Sequence, residues 1–275
     1  MTGRALGLLL MFAPALVMAQ ARIVDIEFVS HETRLAGSLV LPESRAPHAA
    51  LVFVHGSGPQ ARNLDLARRF ADAGIAALVY DKRGAGKSAG HYEGEQSVSE
   101  QNIALLSDDA AAALNVLAHR AELKGAPIGI AGISQAGWIA PLAAEKSGIA
   151  RFIILWSGPV CKVSEEDIFS IYTRDKDAAV APPYREALSS RKDPYVWPDF
   201  LGKDTDPADS LARLSIPGLW IFSDNDGSIP VDLSVERLQV LRRAGHRYDY
   251  VLFSGLGHNN MDGTFATAVE WIGRR

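Results

Sequence analysis

From residue 50 onward the chain alternates short, uninterrupted apolar runs with segments of helical period, and that alternation narrows the possible folds more than any other feature. Ala50-Leu51-Val52-Phe53-Val54 has no polar face at all, as expected of a strand covered on both sides in a parallel sheet. Similar runs are expected as strands at 75–80, 127–131, 151–156, 217–222 and 248–253. Between them, Leu64, Ala67, Phe70 and Ala71, and again Ala110, Leu114 and Leu117, recur at helical spacing. The expected helices are 61–73, 99–121, 135–146, 232–244 and 262–272. Two further strands, 23–29 and 35–41, flank the polar turn Ser30-His31-Glu32-Thr33 and read as an antiparallel hairpin. The sum is an α/β fold, a mostly parallel sheet with helices on both faces.

One stretch interrupts the rhythm. From Ser157 to Leu211 no strand is expected, yet six of the fourteen prolines lie there, with Phe169, Tyr172, Tyr184, Tyr195, Trp197 and Phe200. A partly helical insertion over the carboxyl edge of the sheet is expected, its aromatics shaping a partly apolar acyl or alcohol pocket. At the amino end, Arg4 precedes an apolar stretch, Ala5–Ala19, that closes on Val17-Met18-Ala19. This reads as a signal peptide cleaved after Ala19, which would leave 20–275 as one exported domain with no stable membrane span. The net charge of −4, without any basic block, argues against a nucleic-acid partner. The single cysteine, Cys161, excludes an intramolecular disulfide and reads as an ordinary small apolar residue.

The chemistry is expected around Ser134, in Ile128-Gly129-Ile130-Ala131-Gly132-Ile133-Ser134-Gln135-Ala136-Gly137-Trp138. A serine between very small residues, where an apolar strand gives way to a helix, fits a nucleophile elbow that lifts one hydroxyl above the sheet. The G-x-S-x-G pattern departs at one place, where Ala136 replaces glycine and Gly137 follows. A serine hydroxyl needs an imidazole to take its proton, and the imidazole needs a carboxylate. Of seven histidines, His258 stands out because it follows a strand in the loop Phe253-Ser254-Gly255-Leu256-Gly257-His258, ahead of the last helix, with glycines on its approach. His31, His48, His91, His119 and His246 read as solvated turn or helix residues. Asp226, before Gly227, is favoured as the acid over Asp224, which is expected to shape the turn. The loop His55-Gly56-Ser57-Gly58-Pro59 suits an oxyanion hole, with the backbone amides of Ser57 and Gln135 as donors.

These residues together resemble the α/β-hydrolase superfamily, in particular its serine-hydrolase branch of esterases and serine aminopeptidase-like enzymes. The matching pieces are His55-Gly56-Ser57-Gly58, Tyr80-Asp81-Lys82-Arg83-Gly84-Ala85-Gly86-Lys87-Ser88, the elbow, Asp226 and His258, in the family's order over most of the chain. The resemblance implies an eight-stranded α/β-hydrolase fold with a cap at about 158–212 and a D-x-R-G-x-G-x-S turn that structures a loop near the site. Gly86-Lys87-Ser88 is not a P-loop, which would need glycine where Asp81 stands. No His or Cys spacing suits a metal and no cofactor is implied. The expected activity is cleavage of small carboxylic esters through an acyl-enzyme on Ser134. The alternatives are a peptidase or amidase acting on short peptides with the same residues, and a non-catalytic binding protein on the same scaffold.

Overall fold

A computed structural model describes residues 21–43 and 45–275. The signal segment expected at 1–19 and its cleavage point lie outside the described residues. The strands are β1 Arg22–Ser30, β2 Thr33–Leu41, β3 Ala49–Val54, β4 Ile75–Tyr80, β5 Ile128–Ile133, β6 Ile153–Trp156, β7 Gly218–Ser223 and β8 Tyr248–Phe253. The helices are α1 Leu64–Asp72, α2 Glu100–Ala118, α3 Ala136–Ser147, α4 Val163–Thr173, α5 Tyr184–Ser190, α6 Pro207–Leu211, α7 Val231–Arg243 and α8 Met261–Ile272. The eight strands form one sheet in the order β1-β2-β4-β3-β5-β6-β7-β8. β2 is antiparallel to both β1 and β4, and every other pair is parallel.

The apolar runs are buried because helices cover both faces. Along β3, Ala50, Val52 and Val54 face a core shared with α2, α3 and α7, while Ala49, Leu51 and Phe53 face α1 and α8. This is the period-2 division of a strand between two hydrophobic layers. Two of the helix starts that cover the sheet are capped by side chains: Asn63 caps α1 through Leu66 N–H and Ser99 caps α2 through Asn102 N–H. No helix of the described residues is long and apolar enough to cross a membrane.

Between β6 and β7 the chain carries α4, α5 and α6 and no strand. Its aromatics have gone mainly into the insertion's own packing. Phe169, fully buried, joins Ile168 and Ala187, with Tyr184 and Tyr195 against them, and Trp197 meets Phe200 edge-on at 5.4 Å. Arg237 of α7 fastens α4 to the body through Glu165, at 2.7 Å. Cys161 is buried and unpaired, and its carbonyl accepts from the indole N–H of Trp138.

The Asp81–Ser88 turn is organised by its first residue. The Asp81 carboxylate takes Nε and one terminal nitrogen of Arg62, at 2.9 and 2.8 Å, and the amides of Arg62 and Lys87, both at 2.8 Å. Gly86 lies at φ +54°, where a Cβ would stand 2.5 Å from the Asp81 carboxyl carbon. Ser88 turns inward to donate to Asp81 O at 2.6 Å, so Gly86-Lys87-Ser88 is a closed turn. Burial alone would raise the Asp81 pKa, but the Arg62 fork and the two amides overcome it and bring it down to about 2.

Arg62→Ala is therefore expected to cost about 3–5 kcal/mol at neutral pH, because it strands a buried carboxylate. Urea unfolding measures it. The folded pKa is depressed, so the stabilisation is complete above the unfolded value of about 4. It fades as pH falls toward 2, and the gap between wild type and variant should narrow with it.

Candidate active site

Ser134 follows β5 directly, in the left-handed region at φ +56°. A non-glycine residue there stores about 1–3 kcal/mol of strain, held by the packing around it. Its N–H donates to Trp156 O and its C=O accepts from Gly137 N–H, so the sharp turn is fixed from both sides. The replacement of glycine by Ala136 has a simple reason. A Cβ on Gly132 would lie 2.4 Å from the Ala136 Cβ, so the elbow has room for one methyl at this crossing and Ala136 supplies it. Gly137 serves a different contact: its missing Cβ leaves space for Pro159, whose backbone nitrogen would be 2.5 Å away.

Three residues distant in sequence meet at this turn. His258 Nε2 is 3.0 Å from Ser134 Oγ, and its Nδ1 is 2.9 Å from each oxygen of Asp226. Asp226 is fully buried, and its Oδ1 also accepts the amides of Ser228 and Ile229 at 2.9 and 3.1 Å. Burial alone would lower the His258 pKa, but the Asp226 carboxylate, with Asp177 and Asp175 behind it, holds it above the ordinary histidine value.

The loop that carries His258 hangs from side chains of the β7–α7 loop. Leu256 N–H donates to Ser223 Oγ, Gly255 N–H to Asp224 Oδ1 and Gly257 N–H to Asn225 Oδ1, at 3.0, 3.1 and 2.7 Å. Asp224 thus shapes the turn and Asp226 faces the imidazole. From β6, Ser157 Oγ donates to the His258 carbonyl at 2.7 Å.

Four of the other histidines have separate attachments. His31 bonds Asp108, His119 bonds Asn115 O, and His246 bonds Leu214 O and stacks on Tyr248. His55, buried, is taken up by the Tyr80 carbonyl, and burial lowers its pKa.

The amides of Ser57 and Gln135 have no acceptor among the described residues. Ser57 and Ser134 share a cavity of about 480 Å³ that is also lined by Glu166 and Ser170 of α4 and by Asp175. No Phe, Tyr or Trp of the described residues lines it. The apolar pocket expected from the insertion's aromatics is therefore corrected: Phe169, Tyr184 and Tyr195 pack within the insertion, Trp197 packs against the main core and Tyr172 is exposed, and what the insertion presents to the cavity is polar and acidic. The Glu166 carboxyl has no hydrogen-bond partner among the described residues. Burial, and then the charges of Asp175, Asp167 and Asp226, push its pKa up to about 8. Glu166, Asp175 and Asp177 carried no motif and went unnoticed in the sequence. No group of three or more His, Cys, Asp and Glu side chains is placed to hold a metal ion among the described residues.

The sequence model of the family described as serine aminopeptidase, S33, matches residues 45–195. A polyketide transferase of Penicillium crustosum is 36% identical over 107 residues, 39% of this chain, and the chain spans only 33% of that relative's length. An acylaminoacyl peptidase of Pyrococcus horikoshii superposes with a TM-score of 0.67 at 18% identity, over 94% of this chain and 42% of that one. An esterase of Pyrococcus furiosus superposes with a TM-score of 0.64 at 16% identity, over 99% of this chain and 93% of that one. At these identities the two structures speak for a shared architecture and no more.

Proposed function

The chain belongs to the serine aminopeptidase family, has the α/β-hydrolase fold and is a serine hydrolase, and from that premise we propose that it cleaves small carboxylic esters through an acyl-enzyme on Ser134. The observation that carries the reading is the unbroken relay from Ser134 Oγ to His258 to the buried Asp226. Ser134 Oγ attacks the ester carbonyl while His258 Nε2 takes its proton. The oxyanion that forms is met by the amides of Ser57 and Gln135. Collapse breaks the bond to the alcohol, which leaves with the proton from His258. Water, deprotonated by the same nitrogen, then releases the acid and restores the serine. Asp226 holds the Nδ1 proton and stabilises the imidazolium, without itself taking up a proton. The reading is of an exported enzyme, supported by the apolar stretch behind Arg4 and the small residues before Gln20.

A second reading, hydrolysis of short peptides or aminoacyl amides, is favoured by one observation, the acidic side chains that share the cavity with Ser134. A free amine beside the scissile carbonyl would meet Glu166 and Asp175 there, and its charge would draw the Glu166 proton off. A matched panel of nitrophenyl esters and aminoacyl nitroanilides separates the two. Under the first reading uncharged esters are turned over at least as well as amine-bearing substrates, and Glu166→Gln leaves their KM unchanged. Under the second, Glu166→Gln raises KM for amine-bearing substrates by about 10-fold, the loss of one charge-assisted contact of about 1.4 kcal/mol. Turnover of neither class would remove both.

A further inference from the structure

Lys82 is buried, 3% exposed, and bonded to the residue that follows the reacting serine, and the chemistry above leaves it unused. No carboxylate pairs with it among the described residues. An ammonium taken out of water without a counter-charge is costly unless its protons are all accepted. Here they are, and two of the three acceptors share one property. Lys82 Nζ donates to Gly56 O at 2.7 Å, to Gly58 O at 3.2 Å and to Gln135 Oε1 at 2.8 Å. Gly56 O belongs to the same peptide unit as the Ser57 N–H, and Gln135 carries the other free amide of the site.

We propose that Lys82 is the positioning residue of the oxyanion hole, one ammonium that aligns both of its backbone donors and polarises one of them. The inference rests on the acyl-transfer reading of Ser134. In a trans peptide the C=O and N–H point in opposite directions. Drawing Gly56 O onto Nζ therefore turns the Ser57 N–H away from the ammonium, and Ser57 is a wall of the cavity that holds Ser134. A carbonyl that accepts from a cation makes its own N–H a stronger donor, as hydrogen bonds in series do. The Gly58 carbonyl can be drawn inward without losing a donor, because the next residue, Pro59, has no N–H. The Gln135 side chain is pinned at both ends, its Oε1 by Lys82 and its Nε2 by Ser97 O at 2.7 Å. The residue that follows the nucleophile is thereby fixed relative to the loop that supplies the other donor.

Burial lowers the Lys82 pKa to about 8. The titratable and charged groups nearest it are His55, which follows β3, and Tyr92, whose ring centre lies 5.7 Å from Nζ, while its chain neighbours Asp81 and Arg83 are turned to Arg62 and to Asp109. None of these gives it a carboxylate contact, so deprotonation leaves three acceptors for two protons.

The test compares wild type with Lys82→Met, which keeps the length and removes the donor. Thermal melting is recorded first, then kcat and KM on a nitrophenyl ester and the Ki of a trifluoromethyl ketone that forms a tetrahedral adduct. The expected result is a kcat about 100-fold lower, KM within about threefold, and a Ki raised about as much as kcat falls. A purely structural lysine would lower the melting temperature and leave the ketone's affinity in step with KM. Wild-type kcat should also decline above about pH 8, and this measurement needs no variant should Lys82→Met fail to fold. A variant with kcat within threefold of wild type, or a flat wild-type profile from pH 8 to 10, overturns the proposal. Fluorophosphonate labelling of wild type is the separate control: if Ser134 is not labelled, it is the acyl-transfer reading that has failed.

Discussion

Ser134→Ala is expected to lower kcat by about six orders of magnitude and to abolish labelling by a fluorophosphonate. The loss is large because nothing else in the cavity can replace the hydroxyl. Ser57, Ser170 and Ser228 also line it, yet none of them is bonded to His258. Alanine at φ +56° is no more strained than serine, and the elbow contacts to Trp156 and Gly137 are made by the backbone. The variant should therefore melt within about 2 °C of wild type, as a change of under 0.5 kcal/mol does. Whole-protein mass after labelling gives one adduct for wild type and none for the variant. An adduct on the variant would move the nucleophile elsewhere.

The second large effect is expected from Asp226→Asn, with kcat falling about 10⁴-fold. The reason lies in the two amides that already occupy Oδ1. Ser228 and Ile229 N–H groups demand an oxygen at that position, so the asparagine amide must present its NH₂ to His258. Nδ1 then becomes an acceptor, the ring proton sits on Nε2, and Nε2 can no longer take the proton from Ser134. The same change alters the pH profile. In wild type only the neutral imidazole can accept that proton, so the acid limb of kcat/KM should lie above the ordinary histidine value. With the Asp226 charge gone, burial dominates and the limb moves below it. A variant that keeps a tenth of wild-type kcat would show that Asp226 does not govern the tautomer.

Much of this arrangement can be read along the chain, because it is carried by local signals. The apolar runs mark the strands to within about two residues. The small residues at 132, 136 and 137 mark the elbow, and the glycines at 255 and 257 mark the exposed histidine loop. What escaped was non-local. Arg62 follows no pattern, and only the pairing of β2 with β4 brings Gly37 and Ser38 to the same guanidinium as Asp81. Lys82 sits in a motif whose glycines and aspartate explain themselves by turn geometry. Its own partners, Gly56 and Gln135, are separated from it by a strand and a helix. The insertion offered only composition, and composition cannot tell rings that face a ligand from rings that face one another.

Asp177, within that insertion, accepts the Gly227 amide at 3.0 Å and the His258 amide at 3.2 Å. A Cβ on Gly257 would stand 2.1 Å from its carboxylate, and one on Gly227 would stand 2.1 Å from Lys176 O. The segment that walls the cavity is thus also part of the mounting of the imidazole and of its acid. Selectivity and working pH are inherited together in this chain. Changes made between Ser170 and Asp177 to admit a different molecule are expected also to shift the pH at which the serine is active, and an insertion exchanged from a relative would bring its own pH range with it.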